Sequence, residues 1–188
     1  MIGRTHLAAG LCMSLLVAPL AGELSLTHVA LAGLGGVFPD FDASGQQATV
    51  AHMGLRLTRR FTFKPFMPLC VLGSRLFAHR TYTHTLVAAL IGGLLVGGIA
   101  LLLSAPTPWL SALAFFFGYT SHLLLDAMTP HGVPLYWPLL RITQCRHVVP
   151  RGWRVPTGSP LDHALGVLCL VGFGIGFYWW VSGGAVVL

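Results

Sequence analysis

Five apolar runs divide the chain, and each is bounded by a turn or a polar segment. They cover approximately Thr5–Ala21, Leu24–Phe38, Thr83–Leu103, Trp109–Ala127 and Leu161–Val181. A helix needs roughly 20 predominantly apolar residues to cross a bilayer, and most of these runs approach that length. The pattern predicts an all-α fold, a polytopic membrane helical bundle with about five transmembrane helices, in a single domain over residues 1–188.

Two segments between the second and third runs have the pattern of helices that lie at the membrane surface. Within Val50–Phe61, apolar residues recur at helical spacing and arginines occupy other positions, which is typical of an amphipathic helix. Met67–Ala78 is apolar but too short to span, so it predicts an interfacial or re-entrant helix. Repeated prolines in Met128–Pro160 disfavour a long helix and predict an ordered loop.

The charged residues indicate which end of the bundle faces the cytoplasm. Only 9% of the residues are charged, whereas a soluble domain carries about 25%. All 11 Lys and Arg residues lie before the first run or in the segments after the second and fourth runs, and the opposite turns carry only Glu23. Because basic residues concentrate in cytoplasmic loops, this distribution predicts a multi-pass protein with a cytoplasmic N-terminus. The net charge of +6 then faces anionic lipid headgroups, and no nucleic-acid partner is expected.

The same topology carries four histidines and three aspartates to the basic face. They are His6, Asp40, Asp42, His79, His84, His122 and Asp126. His122 and Asp126 are four residues apart and share one helix face, and Asp40 and Asp42 point the same way in an extended segment. A carboxylate at membrane depth is costly unless it is paired or bound to a metal, so the set predicts a shared cation.

The ligand types limit the metal and the chemistry. Imidazole and carboxylate groups without thiolate suit Zn, Mn or Fe. The candidates exceed one tetrahedral shell, so either two divalent metal ions bind or some of the residues orient the ligands. A two-metal site with bound water is a common arrangement for hydrolysis of phosphate esters. We therefore expect Asp40 and Asp42 to be catalytic, one of them as a general base, and Arg80 to hold an anionic oxygen.

The other histidines are expected to be packed, surface or loop residues outside the site; these are His28, His52, His131 and His147. Asp162 and His163 begin the fifth run, where we expect them to anchor the helix at the membrane interface.

Three segments resemble the YdjM family of inner-membrane proteins. They are Pro39-Asp40-Phe41-Asp42, His79-Arg80-Thr81-Tyr82-Thr83-His84-Thr85, and the stretch from Gly118 to Pro138 that contains Ser121, His122, Asp126, Thr129 and Gly132. The corresponding family patterns are PDxD, HRxxTHS and GYxSHLxxDxxTxxGxxLxxP, and the likeness extends over residues 5–165. Thr85 stands where the family usually has Ser, which keeps a hydroxyl, and His131 stands where relatives have a small residue.

The resemblance implies a LexA-regulated, membrane-bound, metal-dependent hydrolase of the bacterial inner membrane. It implies that the seven residues above bind the metal and that an acid near Gly158-Ser159, such as Asp162, supports them. The expected substrate is a phosphoester of a lipid or a lipid-linked molecule, because the site would lie at headgroup depth beside basic residues.

Other functions remain open. A non-catalytic membrane adaptor, or a metal-stabilised structural protein regulated under stress, would use the same residues without turnover. A lipid phosphatase with a histidine nucleophile is disfavoured by the spacing of Ser74-Arg75 to His79, and a di-iron lipid hydroxylase by the missing HxxHH boxes. Membrane lipid is the expected partner, and the pattern does not indicate an oligomeric state.

Overall fold

A computed structural model describes residues 1–42, 55–56, 62–63, 67–76, 79–183 and 186–187. Within these ranges the α-helices are α1 (Gly3–Ala21), α2 (Leu26–Val37), α3 (Met67–Leu76), α4 (Leu86–Leu102), α5 (Pro108–Ala127) and α6 (Pro160–Ser182). Short 3-10 turns cover Phe38–Asp42, Tyr82–His84 and Arg151–Trp153. The strands are two residues long: β1 (Leu24–Ser25), β2 (Leu55–Arg56), β3 (Thr62–Phe63) and β4 (Val186–Val187).

The helices confirm the predicted all-α membrane bundle. Among the described residues, α1, α5 and α6 are long and apolar enough to cross a membrane, and α4 is a slightly shorter apolar helix. The second predicted span is only the 12 residues of α2, about 18 Å at 1.5 Å per residue. This helix is therefore too short to cross the hydrocarbon layer without its flanking turns.

The segments predicted at the membrane surface have different outcomes. Met67–Leu76 forms α3, as the pattern predicts. Within the predicted amphipathic helix, Leu55–Arg56 instead forms a strand that pairs antiparallel with Thr62–Phe63. The rest of the Val50–Phe61 prediction lies outside the described residues. Between Met128 and Pro160 the chain forms one 3-10 turn and an isolated antiparallel bridge between Val133 and Arg146, which agrees with the predicted ordered loop.

Helix ends follow local chemistry. Gly22 ends α1 with a φ of 72°, a left-handed conformation that glycine adopts at little cost. Thr85 begins α4: its hydroxyl oxygen accepts a hydrogen bond from the Ala88 N–H at 3.1 Å, and its hydroxyl donates to the Tyr82 carbonyl at 2.9 Å. A serine at this position could make both hydrogen bonds. This explains how threonine can stand here in place of the serine of the family pattern.

Glycines let the short helix α2 pack closely between α1 and α5. A Cβ added at Gly36 would lie 2.6 Å from the His6 carbonyl oxygen, and one at Gly118 would overlap the backbone of Ala32. Small residues allow such backbone contact between membrane helices, where burial of apolar side chains gives little gain over contact with lipid. The consequence is that α1, α2 and α5 approach each other at the level of His6 and Gly36.

The two ends of the bundle differ in chemistry. At one end β1 pairs parallel with β4, which joins the α1–α2 turn to the residues after α6. At the other end Asp40 lies near His122, and His84 lies near Asp126. The start of α1, the end of α2, the start of α4 and the end of α5 therefore meet at one end, as the sequence predicts.

Candidate metal centre

Six of the predicted metal ligands come together at this end of the bundle. Among the described residues they form three overlapping groups: His6, Asp40 and His122; Asp40, His79 and His84; and His84, His122 and Asp126. Within each group the ligand atoms lie within 4.8 Å of one another, so each could hold a metal ion. Because members are shared between groups, the three form one cluster, which we call the His/Asp centre.

His122 is oriented by the backbone of α2. Its Nδ1 lies 2.9 Å from the Gly36 carbonyl oxygen, which can only accept, so we assign the ring proton to Nδ1. The Nε2 atom then keeps its lone pair and points into the cluster, 3.5 Å from Asp40 Oδ1. A histidine whose far nitrogen donates to a carbonyl is the usual arrangement in metal sites.

His84 is oriented through a hydroxyl. The Thr83 hydroxyl donates to Asp42, so its oxygen is free to accept from His84 Nδ1 at 3.0 Å. In the neutral ring, His84 Nε2 is then unprotonated, 3.7 Å from Asp126 Oδ2. His79 Nδ1 also bonds to Asp42, at 2.7 Å. Asp42 therefore fixes the orientation of two histidines at once.

The Nε2 atoms of His84 and His122 face each other. Their separation shows whether these ligand atoms fit around a cation. His122 Nε2 and His84 Nε2 are 3.3 Å apart, and both side chains are fully buried. Two lone pairs at that distance repel unless a positive charge lies between them. Two nitrogens bound to one tetrahedral Zn²⁺ at about 2.0–2.1 Å would themselves be about 3.3 Å apart. The donor set therefore fits a divalent cation with nitrogen and carboxylate ligands.

His6 brings a third imidazole that could be a metal ligand. Its ring stacks on His122 with centroids 3.7 Å apart. Among the described residues, neither of its buried ring nitrogens has a hydrogen-bond partner of acceptable geometry, although Nε2 lies 3.3 Å from Asp126 Oδ1. A buried unpaired polar atom is costly, and a bound metal would remove that cost.

Asp126 is surrounded by positive charge. The Met1 amino group lies 2.5 Å from Oδ1, and Arg80 Nε lies 3.2 Å from Oδ2. Arg80 adopts a φ of 61°, which is uncommon for a residue other than glycine, and this backbone turns its side chain towards Asp126 and the Thr129 hydroxyl. Arg80 is thus part of the predicted site but already pairs with one of its carboxylates.

Solvent reaches the centre through a polar cavity of about 450 Å³ lined by Met1, Ile2, Gly3, Asp40, His79, Arg80 and Thr157. Side-chain exposure is 39% for His79, 20% for Arg80 and 14% for Asp40, whereas the other members of the cluster are buried. The centre therefore has a deep part, closed to solvent, and an accessible edge. A molecule entering the cavity would meet Asp40, His79 and Arg80 first.

The accessible residues have shifted acidities. Burial alone raises the pKa of the Asp40 carboxyl, whereas positive charge in the centre, carried by the imidazoles of His122, His84 and His6 when they are protonated, lowers it below its ordinary value. Burial alone lowers the pKa of His79, but its hydrogen bond to Asp42 raises the value above that of an isolated histidine. The environment therefore favours a charged Asp40 carboxylate at the edge of the cavity.

Asp42 is brought to the cluster but takes a different place from that of the other six. Both of its oxygens are engaged, one by His79 and the other by the Thr83 hydroxyl. Its assignment as a metal ligand or catalytic residue stays a prediction, and its contacts describe a group that orients histidines. The role of Thr83 does not follow from residue spacing, although the family pattern contains a threonine directly before the second histidine.

Asp162 lies in the first turn of α6, where it is buried against the start of α1, and its predicted role as an interfacial anchor stays a prediction. It is fully buried and accepts hydrogen bonds from the Ile2 N–H at 3.0 Å, the Thr5 hydroxyl at 2.7 Å and the Gly158 N–H at 2.8 Å. It thereby ties the start of α1, which carries His6, to the start of α6. The supporting acid that the resemblance implies at this position is consistent with these contacts.

The remaining histidines lie away from the cluster where the structure describes them. His28 is buried within α2, whereas His131, His147 and His163 are exposed or bound to loop backbone. His52 lies outside the described residues.

Comparison with known proteins agrees with the architecture. The family model of the YdjM inner membrane protein matches residues 1–186. The chain is 29% identical over 138 residues to the uncharacterized protein YvsG of Bacillus subtilis (strain 168), which covers 73% of this chain and 74% of that protein. It is 39% identical over 69 residues to the inner membrane protein YdjM of Escherichia coli (strain K12), which covers 35% of this chain and 33% of that protein. No solved structure gives a significant match. The chain belongs to the YdjM inner membrane protein family.

Proposed function

We propose that this protein is a membrane-bound, metal-dependent hydrolase that acts at the cytoplasmic face of the bacterial inner membrane. One observation carries the proposal: the Nε2 atoms of His84 and His122, which we assign as unprotonated, lie 3.3 Å apart in a buried site flanked by carboxylates. Such an arrangement is stable when a cation neutralises it and is costly otherwise.

His84, His122, Asp40 and Asp126 would hold the metal, with His6 as a further ligand. Zn, Mn or Fe suits this nitrogen and oxygen set. The group of Asp40, His79 and His84 supports a second ion that shares ligands with the first. When bound, a divalent cation would act as a Lewis acid that polarises a phosphoryl oxygen.

The residues at the edge of the cavity would act on a phosphoester. Arg80 would bind an anionic oxygen of the phosphoryl group through its guanidinium N–H groups. The Asp40 carboxylate would take a proton from the attacking water as the new oxygen–phosphorus bond forms. The ester oxygen–phosphorus bond breaks, and the alcohol oxygen takes a proton from solvent in the cavity. Asp42 would act indirectly, because its hydrogen bonds hold His79 and, through Thr83, His84.

Membrane lipid is the proposed source of the phosphoester. The centre lies where the apolar helices end, which is the depth of lipid headgroups if these helices cross the bilayer. Arginines in the segments around it would attract anionic headgroups.

Turnover tests the proposal directly. The protein is purified in detergent, loaded with Zn²⁺ or Mn²⁺ and incubated with phosphatidic acid and phosphatidylglycerol, and release of phosphate or alcohol is measured. Asp40→Asn should lower turnover about 100-fold or more, because it removes the proton acceptor and also a charged ligand of the metal. His163→Ala is the matched control: this histidine is exposed and outside the centre, so activity should not change.

The burial of the cluster also favours a second candidate, a metal-stabilised structural protein or adaptor. His6, His84, His122 and Asp126 join α1, α5 and the turn before α4, so a metal there would stabilise the bundle. Metal that is retained by the wild type without turnover of any phosphoester would reject the hydrolase and favour this role.

The proposed orientation is tested by labelling. Single cysteines at Arg151, near the centre, and at Ser182, at the opposite end, are introduced into a cysteine-free chain; both positions are exposed. In intact cells a membrane-impermeant reagent should label position 182 and spare position 151. The reverse result would place the centre outside the cytoplasm.

A further inference from the structure

An apolar groove lies beside the His/Asp centre. Its volume is about 440 Å³, and its lining is almost entirely apolar. The residues that matter for its shape are Phe41, Tyr82, Val87, Ile91, Leu95 and Trp137. The volume falls within the roughly 300–1,000 Å³ of typical ligand sites, but the lining offers almost no polar group to orient a polar ligand.

The groove runs from the end of the bundle into the membrane-depth part of α4. Val87 and Leu95 are eight residues apart on this helix, a length of about 12 Å along its axis. At the shallow end Tyr82 and Trp137 form an edge-to-face pair with ring centroids 5.1 Å apart. Tyr and Trp concentrate at the boundary between headgroups and hydrocarbon. If α4 lies in the bilayer with the other apolar helices, the mouth of the groove is at headgroup depth and its body is among the acyl chains.

Neighbouring residues of the same two turns line the groove and the polar cavity. Asp40 lines the cavity and Phe41 the groove; Arg80 lines the cavity and Tyr82 the groove. Thr83 forms part of the groove wall, and its hydroxyl bonds to Asp42 of the centre. Tyr119 closes this wall by donating its hydroxyl to the Thr83 carbonyl at 2.6 Å. The apolar groove and the polar cavity are therefore lined by the same two turns.

We propose that the groove binds one acyl chain of a membrane lipid whose phosphoester lies in the polar cavity. This inference rests on the proposed function for the identity of the headgroup. The occupant follows from position: the mouth is at headgroup depth, the body is apolar and as deep as α4, and the polar end adjoins an arginine and a candidate metal centre. A water-soluble phosphoester would leave the groove empty.

The groove should fix the position of the bound lipid more than it raises the affinity for it. An acyl chain that moves from the bilayer into the groove exchanges one apolar environment for another, so it gains little from the hydrophobic effect. What it gains is a fixed path, which holds the ester bond beside Asp40 and Arg80. Small errors in the position of a reacting group can cost a large factor in rate, so filling the groove should impair long-chain substrates selectively.

Photo-crosslinking tests the occupant independently of turnover. The full chain is placed in phosphatidylcholine nanodiscs with a small fraction of phosphatidylglycerol that carries a diazirine in one acyl chain. Adducts are mapped by mass spectrometry. We expect them to be concentrated on the Val87–Leu95 face of α4 relative to the lipid-exposed face of α6, which includes Leu168 and Ile175.

Filling the groove provides the variant. Ala88 lines the groove, so Ala88→Trp should lower adducts on α4 about tenfold, which corresponds to roughly 1.4 kcal/mol of lost binding. Leu168→Trp adds the same ring to the exposed face of α6 and should leave them unchanged. Metal content and thermal unfolding are compared with the wild type, and Val87→Phe, a smaller change in the same wall, replaces Ala88→Trp if that variant does not fold.

The outcomes separate this inference from the proposed function. Equal adduct density on α4 and α6 would show ordinary contact with bulk lipid and overturn the groove. Adducts on α6 with none on α4 would show that protein, from this chain or from a neighbouring copy, covers the groove. That result would also overturn the proposal that the groove binds an acyl chain. Groove adducts without phosphoester turnover would keep the groove and reject the hydrolase. Turnover of short- and long-chain phosphoesters that Ala88→Trp impairs equally or not at all would keep the hydrolase and reject the groove.

Discussion

The helices α5 and α6 are both long and apolar enough to cross a membrane, yet they occupy opposite environments. In the most apolar 18-residue window of each, 67% of α5 is buried inside the bundle, whereas only 6% of α6 is. The buried residues of α5 include Ser111, Ala114, Gly118, Ser121 and His122. The face of α6 that is exposed carries Leu, Val, Ile and aromatic residues.

The difference in burial between α5 and α6 follows from the properties of the lipid that surrounds the helices. In a bilayer a large apolar side chain is as well placed against lipid as against protein, so burial of such side chains does not bring helices together. Helices pack where small residues permit close contact and where polar groups need partners. The helix that carries His122 and Asp126 is therefore central, while α6 contacts the bundle mainly through α1 and through Asp162 at its beginning.

The largest effect is expected from the buried aspartate of α5. Asp126→Asn should lower the free energy of unfolding by about 3–5 kcal/mol, because Arg80 would face an uncharged group in a buried site. Asp162→Asn at the start of α6 should cost about 1–3 kcal/mol, since an amide oxygen can still accept some of the same hydrogen bonds. Both are measured by denaturant unfolding in detergent micelles. Equal losses would mean that the charges around Asp126 do not matter to the fold.

A pair of leucines compares the two environments without any charge. Leu123 on α5 is fully buried, and Leu123→Ala should lower the free energy of unfolding by about 2–5 kcal/mol through the cavity it leaves. Leu168 on α6 is 66% exposed, and Leu168→Ala should change stability by less than about 0.5 kcal/mol. A loss at Leu168 as large as that at Leu123 would indicate that α6 is covered by protein.

Substitution of glycine by alanine should change stability in opposite directions in α5 and α6. A Cβ at Gly118 would overlap the Ala32 backbone, so Gly118→Ala should cost about 1–3 kcal/mol of stability. Apart from the backbone of α6 itself, no atom of the described residues lies within 4 Å of a Cβ at Gly174, so Gly174→Ala should stabilise the protein by about 0.4–1 kcal/mol. Thermal unfolding of the two variants side by side is sufficient. A stabilising Gly118→Ala would contradict the close contact between α2 and α5.

Part of the fold and of the centre could be predicted from the sequence. The loop arginines and the apolar runs together predict which helix ends meet, and this is enough to bring His6, Asp40, His84, His122 and Asp126 to one place. The long helices are also predictable, because membrane-spanning length is set by the bilayer.

What could not be predicted depends on contacts between distant residues. The burial of Asp162 arises from donors on α1, more than 150 residues away, which no local pattern reveals. The different place of Asp42 depends on the Thr83 hydroxyl and His79. The strand at Leu55–Arg56 forms where helical spacing of apolar residues favoured a helix, because pairing with Thr62–Phe63 prevails over a local pattern.

Removal of the Thr83 hydroxyl, which orients His84, should weaken metal binding and have a smaller effect than the changes in the buried helix α5. Thr83→Val keeps the shape of the side chain but removes the link between His84 Nδ1 and Asp42. Metal affinity should fall about 10–100-fold, as is usual when a group that orients a ligand is removed. Competition with a chelator of known affinity measures the change. Thr83→Ser, which keeps the hydroxyl, is the matched control and should bind the metal nearly as well as the wild type.

Metal content of the purified protein tests the central claim most directly. Elemental analysis of the wild type, His122→Ala and His163→Ala is carried out after purification in detergent and exposure to Zn²⁺, Mn²⁺ and Fe²⁺ in turn. We predict one or two equivalents of one divalent metal per chain in the wild type and in His163→Ala, and a loss of most of it in His122→Ala. A wild type that binds no divalent metal, or a His122→Ala variant that folds and keeps the full amount, would contradict the His/Asp centre as a metal site.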